Sequence, residues 1–388
     1  MLRLANDMPV DEFLARYWQQ RPLDCPIGLQ PDLPRISGEE LAWLATQPDV
    51  ESRIVYTQLD DPDEPYSLVN GPFADDELAT LPDKNWTLLV QDVEKHLPEL
   101  RSWIDAVAFV PDWRVDDVMV SFAAPGGGVG PHRDNYDVFL CQTDGQREWR
   151  LAPGVEGIGA RHSGQLSLLQ DFDDPEPTAA NPGHVLYLPP GVPHWGVATD
   201  ACMTWSIGMR APTASELHLA WEREFPDRTS PFVNDESFFA DAGREPARSP
   251  GEITTADVRR CRVLCRPDVT ASDAELAVAL GATVTDLKAW LAPEAPTDDE
   301  IRGLMEAPPV TLPVHGMSRL AFFEQEGFVQ LFVNGACRAA SPGELGMFRE
   351  ICQKRELVPG VLETCPAMLG WMLEYGAFDG AAEGAEMA

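Results

Sequence analysis

The middle of the chain carries a dense series of short apolar or alternating runs. Between residues 111 and 212 they are separated by Gly, Pro, Asp and Asn turns and read VDDVMVSFAA, YDVFLCQ, EWRLA, QLSLLQ, HVLYLPP and MTWSIGMRA. Such runs indicate β-strands, and strands at this density are typical of a β-sandwich or a jelly-roll barrel. We therefore predict a mainly β core over about 111–212, preceded by lead-in structure that opens with an amphipathic helix over 9–20.

After the core the pattern becomes helical. Thr213 and Glu216 have the spacing of a capping box ahead of an apolar run, which predicts the start of a helix. A second helical pattern covers 272–291, and the Pro- and acid-rich stretch 292–300 resembles a linker. Residues 213–300 are therefore predicted to form a helical module.

The last part of the chain combines a hairpin signal with a helix. Asn334 and Gly335 lie between two apolar runs, FVQLFV and ACRA, and a helical pattern follows from Ser341 to about residue 357. Together these elements predict a small winged-helix domain over 301–376. Residues 377–388 are mostly small and acidic, and we expect this tail to be disordered.

The net charge limits the classes of molecule that we expect the protein to bind. The formal net charge is −34, from 29 Lys and Arg against 63 Asp and Glu, which repels nucleic acid and attracts basic protein, although adaptation to salt explains it equally well. The winged-helix segment contains six Lys or Arg against eight Glu, so direct DNA binding is not expected. We find no signal peptide, no membrane-spanning run and no CxxC pair among eight cysteines, and expect a soluble cytoplasmic protein with reduced thiols.

Three residues have the chemistry of an iron site. His132 and Asp134 are two positions apart, which on a strand directs both side chains to one face. His194 follows a strand and a Pro-Gly turn, and a jelly roll brings such distant strands together. Two imidazoles and one carboxylate form the facial triad that binds iron(II) and leaves positions open for co-substrate and O₂. A His-x-Asp pair alone would be weak evidence; the third ligand makes a metal site the better interpretation.

A 2-oxoglutarate co-substrate needs a cation for its distal carboxylate. Arg147 is the candidate, because alternation places it on the same face as Trp149 and a guanidinium binds a carboxylate through two hydrogen bonds. Ser121, on an apolar strand, can add a hydrogen bond to the same carboxylate. Without the triad, a surface ion pair would be the better interpretation of Arg147. The loop 126–128 is all glycine, and we expect it to let substrate approach the metal closely.

These segments resemble the JmjC-type ribosomal oxygenases. The resemblance rests on WRVDDVMVSFAAPGGGVGPHRDNYDVFLCQTDGQREWRL, PGHVLYLPPGVPHWGVA and SIGMRAP, with a weaker match in FLARYWQQRPL. It implies a JmjC oxygenase domain over 1–212 with a double-stranded β-helix (cupin) core. A helical dimerisation module (213–300) and a winged-helix domain (301–376) would follow, and the protein would be a homodimer.

The resemblance also implies an activity. It is hydroxylation of the β-carbon of an arginine in a basic large-subunit ribosomal protein, using Fe(II), 2-oxoglutarate and O₂, with Tyr136 and Asp137 as possible substrate contacts. His184 departs from the acidic turn residue expected there, without consequence for the metal. Two alternatives stay open: the same chemistry on a histidine or lysine of another basic protein, and a non-catalytic cupin-like binding module.

Overall fold

The computed structural model describes residues 2–58, 64–152, 160–163, 166–170, 172, 175–288, 296–306, 312–358 and 360–379. The chain divides into two compact units. The first comprises Met1–Val107, Val115–Met209 and Ala242–Pro246, and the second comprises Ala108–Arg114, Arg210–Asp241 and Ala247–Ala388.

The first unit is built mainly from strands, with short helices before the long strands begin. Its strands are Leu23–Cys25 (β1), Ser52–Thr57 (β2), Tyr66–Asn70 (β3), Trp86–Val90 (β4), Val115–Ala123 (β5), Val138–Asp144 (β6), Arg147–Leu151 (β7), Ala160–Ser163 (β8), Leu166–Leu169 (β9), Thr178–Ala180 (β10), Val185–Leu188 (β11), His194–Ala198 (β12) and Cys202–Met209 (β13). Its α-helices are Val10–Arg16 (α1), Gly38–Leu44 (α2), Asp75–Ala79 (α3), Val93–His96 (α4) and Ser102–Asp105 (α5), and 3₁₀ turns cover Ala5–Asp7 and Pro98–Arg101.

Two antiparallel sheets make the core of the first unit. The larger sheet has the order β1-β11-β6-β13-β5-β4-β2-β3 and the smaller one β10-β7-β12, while β8 pairs with β9. Apolar side chains of β6 and β11 in the larger sheet pack in one cluster with Trp149 of β7 and Ala180 of β10 in the smaller sheet. The sheets therefore form a sandwich, and β11, β6, β13 and β5 are neighbours in the larger sheet although they are not consecutive in sequence, as a jelly roll requires.

Helix α1 is shorter than its sequence pattern predicts. The pattern covers 9–20, but the helix ends at Arg16, and Gln19 adopts a left-handed conformation with φ of 56°. The Gln19 N–H donates to the Tyr187 hydroxyl at 2.8 Å, and the Trp18 and Tyr187 rings stack with centroids 5.9 Å apart. Contacts with β11 thus replace the last helical turn.

The second unit combines helices with one sheet. Its α-helices are Ala214–Glu224 (α6), Thr255–Cys261 (α7), Asp273–Thr285 (α8), Asp298–Glu306 (α9), Pro342–Lys354 (α10), Val361–Thr364 (α11) and Pro366–Glu374 (α12), with 3₁₀ turns at Asp112–Arg114 and Arg262–Leu264. Its strands are Glu252–Ile253 (β14), Leu320–Gln325 (β15), Phe328–Val333 (β16) and Ala336–Ala339 (β17), in that order in the sheet.

Two local predictions in this unit are confirmed. Thr213 and Glu216 form the capping box of α6, with the Glu216 N–H donating to the Thr213 hydroxyl at 3.1 Å. Asn334 and Gly335 both have positive φ, 49° and 86°, and connect β16 to β17 with Val333 opposite Ala336. This is the two-residue hairpin that the Asn-Gly pair predicts.

The predicted linker is partly helical. Residues 298–300 open α9, because Thr297 and Glu300 form a capping box in which the Thr297 N–H donates to the Glu300 carboxylate at 2.7 Å. Helix α8 ends at Thr285 rather than continuing toward 291, since Asp286 is extended. Residues 289–295 and the predicted tail from 380 lie outside the described residues.

The segments 213–300 and 301–376 belong to the same compact unit. One apolar cluster joins them, with Trp221 of α6 and Leu280 of α8 packed alongside Phe323 of β15 and Phe332 of β16. The assignment of the first segment to dimerisation and of the second to a winged helix stays a prediction. No helix in the described part of the chain has the length and apolarity needed to cross a bilayer.

Candidate active site in the first unit

A cavity of about 310 Å³ opens inside the β-sandwich. Its walls come from alternate positions of neighbouring strands, because successive side chains of a strand point to opposite faces. From three adjacent strands of the larger sheet these are Thr87, Leu89 and Gln91; Asp117, Met119 and Ser121; and Thr204, Ser206 and Gly208. The three triad residues and Arg147 line the same cavity.

The predicted metal ligands meet at one side of this cavity. The Nε2 atom of His132 lies 3.8 Å from Asp134 Oδ1, and the Nε2 atom of His194 lies 3.5 Å from Asp134 Oδ2. One ligand atom from each residue lies within 4.8 Å of the others, and within the described residues this is the group of His, Cys, Asp and Glu that can hold a metal ion. His194 is buried, whereas His132 and Asp134 are partly open to solvent.

Backbone hydrogen bonds hold the two ligand-bearing segments together. His132 and His194 form an isolated antiparallel bridge, each N–H donating to the carbonyl of the other at 2.9 Å. The Gly191 N–H also donates to the Asp134 carbonyl at 2.7 Å. The His-x-Asp pair was expected on a strand, but it lies in the irregular segment before β6, fixed by this bridge instead.

Both imidazoles are oriented in the same way. His132 Nδ1 lies 2.9 Å from the Gly130 carbonyl, and His194 Nδ1 lies 2.9 Å from the Val192 carbonyl. A carbonyl only accepts, so each Nδ1 carries the proton and each Nε2 presents its lone pair to the cavity. Burial, and next the neighbouring His132, lower the pKa of His194 to about 4, which keeps this ring neutral. Two neutral imidazoles with a carboxylate fit a divalent metal of the iron(II) type.

Arg147 lies at the other end of the cavity. It is 4% exposed, its Nη2 donates to Cys202 Sγ at 3.9 Å, and its Nε has no hydrogen-bond partner among the described residues. Strand register places it opposite Ala198, four residues or roughly 13 Å along β12 from His194. The Trp149 ring lies between them, 5.7 Å from the guanidinium and 5.9 Å from the His194 ring. A buried guanidinium without a carboxylate is suited to an anionic ligand.

Ser121 and the glycine loop differ in their relation to the cavity. Ser121 is buried, lines the cavity and donates its hydroxyl to the Thr204 carbonyl at 3.3 Å, a bond that rotation can redirect to a ligand. The three glycines are not among the lining residues. A Cβ on Gly127 would lie 2.1 Å from the Trp86 carbonyl oxygen, and one on Gly128 2.5 Å from that of Gly196. They allow close backbone packing, and the expectation that they let substrate approach the metal stays a prediction.

Asp117 was missed by the sequence analysis. It is buried, lines the cavity and forms no ion pair in the described part of the chain; its Oδ2 accepts only the Asp92 N–H, at 3.3 Å. Burial, then the charges of Asp92, Asp116 and Glu94, raise its pKa to about 7, although Lys95 opposes them. The signal was available, because Asp117 shares a strand face with Ser121.

The two weaker candidates have different environments. Tyr136 stands at the rim of the cavity, 42% exposed, and burial of its hydroxyl followed by the charges of Asp134 and Asp117 raises its pKa. Asp137 is fully buried, accepts from the Tyr187 hydroxyl at 2.5 Å and from Gln19 Nε2 at 3.1 Å, and does not line the cavity. Its carboxylate therefore anchors the segment after α1, which argues against the predicted substrate contact.

A family model described as a JmjC domain matches residues 103–217, the segment that holds the triad, Ser121 and Arg147. The chain contains a JmjC domain. This match confirms the predicted mainly β, cupin-like core. Ribosomal protein uL16 3-hydroxylase of Escherichia coli strain K12 is 35% identical over 253 residues, which are 65% of this chain and 65% of that relative. The alignment thus spans slightly less than two thirds of the relative's length.

Solved structures extend the resemblance to nearly the whole chain. A structure of E. coli YcfD is 27% identical with a TM-score of 0.70, covering 97% of this chain and 99% of that one. Another, of the ribosomal oxygenase YcfD in complex with cobalt and 2-oxoglutarate, has a TM-score of 0.67 at the same identity and covers 98% and 99%. The predicted resemblance of this chain to the ribosomal oxygenases is confirmed in sequence and in fold.

Proposed function

We propose that this chain is an iron(II)- and 2-oxoglutarate-dependent oxygenase that hydroxylates the β-carbon of an arginine in a large-subunit ribosomal protein. In this reaction 2-oxoglutarate and O₂ are converted to succinate and CO₂ while one oxygen atom enters the substrate C–H bond. The observation that carries the proposal is the pairing, in one cavity, of an open His-Asp-His set with a buried arginine that has no carboxylate partner among the described residues.

The triad would hold the iron through His132 Nε2, His194 Nε2 and the Asp134 carboxylate. Bound there, iron(II) supplies the activation of O₂ that is coupled to oxidation of 2-oxoglutarate. Arg147 and Ser121 would bind the distal carboxylate and so fix the orientation of the co-substrate. That YcfD was solved in complex with cobalt and 2-oxoglutarate supports, by analogy, a site for a metal and this co-substrate.

Asp117 supports a cationic substrate side chain. A buried carboxylate without an ion pair is costly, and a guanidinium satisfies it through a two-point contact. Tyr136 at the rim and the apolar side chains of Leu89, Met119 and Trp149 would exclude water around the target C–H bond. The strongly negative chain favours encounter with a basic protein in the cytoplasm.

Mass spectrometry of substrate proteins tests this function. Purified large-subunit ribosomal proteins are incubated with the iron-loaded protein, 2-oxoglutarate and air, with His132→Ala as the control. We expect a gain of one oxygen on an arginine with the wild type alone. Succinate formation with the oxygen on histidine, or loss of a lysine methyl group, would support the alternative substrates. A protein that binds metal and partner but forms no succinate would be a binding module, and the proposal would fail.

A further inference from the structure

We propose that Thr87 is a further binding residue for the distal carboxylate of 2-oxoglutarate, beside Arg147. The inference rests on the proposed function and names a residue that the sequence analysis did not consider. It starts from the position of Thr87 on β4, in the larger sheet, whereas Arg147 belongs to β7 in the smaller sheet.

Strand register brings Thr87 to the arginine end of the cavity. Thr87 lies opposite Ala123 on β5, and Ala123 lies opposite Cys202 on β13, so the three form one row across the larger sheet. With strands about 4.8 Å apart, Thr87 and Cys202 are separated by about 10 Å at their Cα atoms. Arg147 donates to Cys202 Sγ at 3.9 Å, which places its guanidinium at this row. A carboxylate bound by Arg147 therefore lies within the span that the row covers.

The Thr87 side chain faces the cavity. On β4 and just after it, Thr87, Leu89 and Gln91 are lining residues, whereas Leu88 and Val90 are not. Thr87 is 1% exposed and its hydroxyl has no hydrogen-bond partner among the described residues. Ser121, by contrast, already donates to a backbone carbonyl. Thr87 is thus the hydroxyl in this part of the cavity that can donate to a ligand without breaking an existing bond.

Two buried donors at one end of a cavity define the chemistry of what fits there. Arg147 Nε and the Thr87 hydroxyl each lack an acceptor in the described structure. Buried polar groups that are left unpaired are costly, so a ligand that accepts from both is favoured. A carboxylate has two acceptor oxygens and no donor, which matches an arginine on one side and a hydroxyl on the other.

Thr57 provides a matched control. It lies on the neighbouring strand β2, is buried, and its hydroxyl also has no partner among the described residues. It does not line the cavity. An unpartnered threonine is therefore not by itself a ligand site in this protein; the position of Thr87 beside the Arg147 row makes the difference.

The test is direct binding of 2-oxoglutarate to the Mn(II)-loaded protein without O₂, measured by calorimetry. Loss of one hydrogen bond to a charged ligand predicts that Thr87→Val raises Kd by about 10- to 100-fold. Thr57→Val should leave Kd within about twofold, and Thr87→Ser should restore most of the affinity because it keeps the hydroxyl. Equal Kd values for Thr87→Val and Thr57→Val would overturn the inference.

A second ligand distinguishes a direct contact of Thr87 with the distal carboxylate from an effect of Thr87 on the shape of the cavity. 2-Oxobutyrate keeps the keto acid end and lacks the distal carboxylate, so Thr87→Val should bind it as the wild type does. If Thr87→Val weakens 2-oxobutyrate and 2-oxoglutarate by the same factor, Thr87 acts on the shape of the cavity and the inference fails. If the wild type binds neither acid, the proposed function fails together with the inference. If the wild type binds 2-oxoglutarate and only the comparison of variants fails, the inference alone is overturned.

Discussion

Two buried arginines, one in each compact unit, show how burial of the same charge can serve structure or ligand binding. Arg114 in the second unit is fully buried, and its Nε and Nη2 donate to the two carboxylate oxygens of Asp241 at 3.0 and 3.1 Å. Arg147 in the first unit is nearly as buried, but its described contacts are a thiol and the face of an indole. Arg114 has its anion within the fold, whereas the described part of the chain supplies none for Arg147.

This difference indicates which of the two arginines is suited to bind a ligand. Removing a charge from water is costly, and a carboxylate in fork geometry offsets that cost for Arg114. For Arg147 no described residue supplies that offset, which is consistent with the proposed binding of a carboxylate ligand. Asp117 is the complementary case, a buried carboxylate in the same cavity without an ion pair in the described residues. The cavity therefore has a site for an anion and a site for a cation.

The largest effect on folding is expected for the paired arginine. Asp241→Asn removes the charge that compensates Arg114 while keeping the size of the side chain. Breaking one member of a buried ion pair predicts a loss of about 3–5 kcal/mol in the free energy of unfolding. Urea denaturation followed by tryptophan fluorescence measures it. A loss below about 1 kcal/mol would mean that Arg114 and Asp241 are not a structural pair.

Arg147→Met should affect ligand affinity strongly and the free energy of unfolding little, the opposite of what Asp241→Asn does. Replacing an uncompensated buried charge by an apolar side chain of similar length is expected to change the free energy of unfolding by less than about 1 kcal/mol, or to raise it. Affinity for 2-oxoglutarate should fall by about 100-fold, or about 3 kcal/mol, because the two-point contact with the carboxylate is lost.

Arg147→Lys is the control for this variant, since it keeps the charge but not the fork, and it should bind with intermediate affinity. Both quantities come from calorimetric titration and urea denaturation of the same samples. If Arg147→Met unfolds as easily as Asp241→Asn does, Arg147 is a structural residue and the contrast between the two arginines disappears.

Ligand addition should distinguish the two arginines again. With Mn(II) and 2-oxoglutarate at 100 times Kd, the wild type should gain about 2.7 kcal/mol of unfolding free energy. Asp241→Asn should gain the same amount from its lower starting point, because its cavity is intact. Arg147→Met at the same ligand concentration should gain almost nothing beyond the effect of Mn(II). An equal gain in all three proteins would mean that Arg147 does not contribute to 2-oxoglutarate binding.

The metal site was more accessible to sequence analysis than the rest of the cavity. His132, Asp134 and His194 could be chosen because only a few residue types bind metal and because His132 and Asp134 are two positions apart, and the structure brings all three together. Their backbone setting was not predicted: the pair lies in an irregular segment, held by a bridge between His132 and His194 that depends on residues more than sixty positions apart. Pairing of this irregular segment with the first residue of β12 leaves no periodic pattern in the segment.

The residues that form the cavity walls depend on which strands are neighbours in the sheet, and the alternation of apolar and polar residues along a strand does not reveal this order. Asp117 lies on the same face of β5 as Ser121, so its direction was predictable but its burial without an ion pair was not. Thr87 faces the cavity only because β4 pairs with β5, a contact between lead-in structure and core. Asp137 shows the converse, because the family resemblance suggested substrate contact while its carboxylate binds Tyr187 and Gln19.

The smallest effect concerns Asp117, and it appears as a pH dependence. With a pKa of about 7, Asp117 is mostly protonated at pH 6 and mostly ionised at pH 8. Only the ionised form pairs with a cationic substrate, so kcat/KM for a basic substrate peptide should rise about tenfold across this range. Asp117→Asn should give a flat, lower profile. A wild-type profile that stays equally flat would remove Asp117 from substrate binding.

Stability should change in the opposite direction with pH. Because folding raises the pKa of Asp117, the native state holds a proton that the unfolded chain has released, so its contribution to stability falls between about pH 4 and pH 7. Asp117→Asn cannot lose a proton, and it should be more stable than the wild type at pH 8 and equal to it near pH 3. If Asp117 serves to bind a ligand, Asp117→Asn should be more stable than the wild type and should bind substrate less well. Equal stability of the two proteins at both pH values would mean that other groups in the fold already stabilise the Asp117 carboxylate.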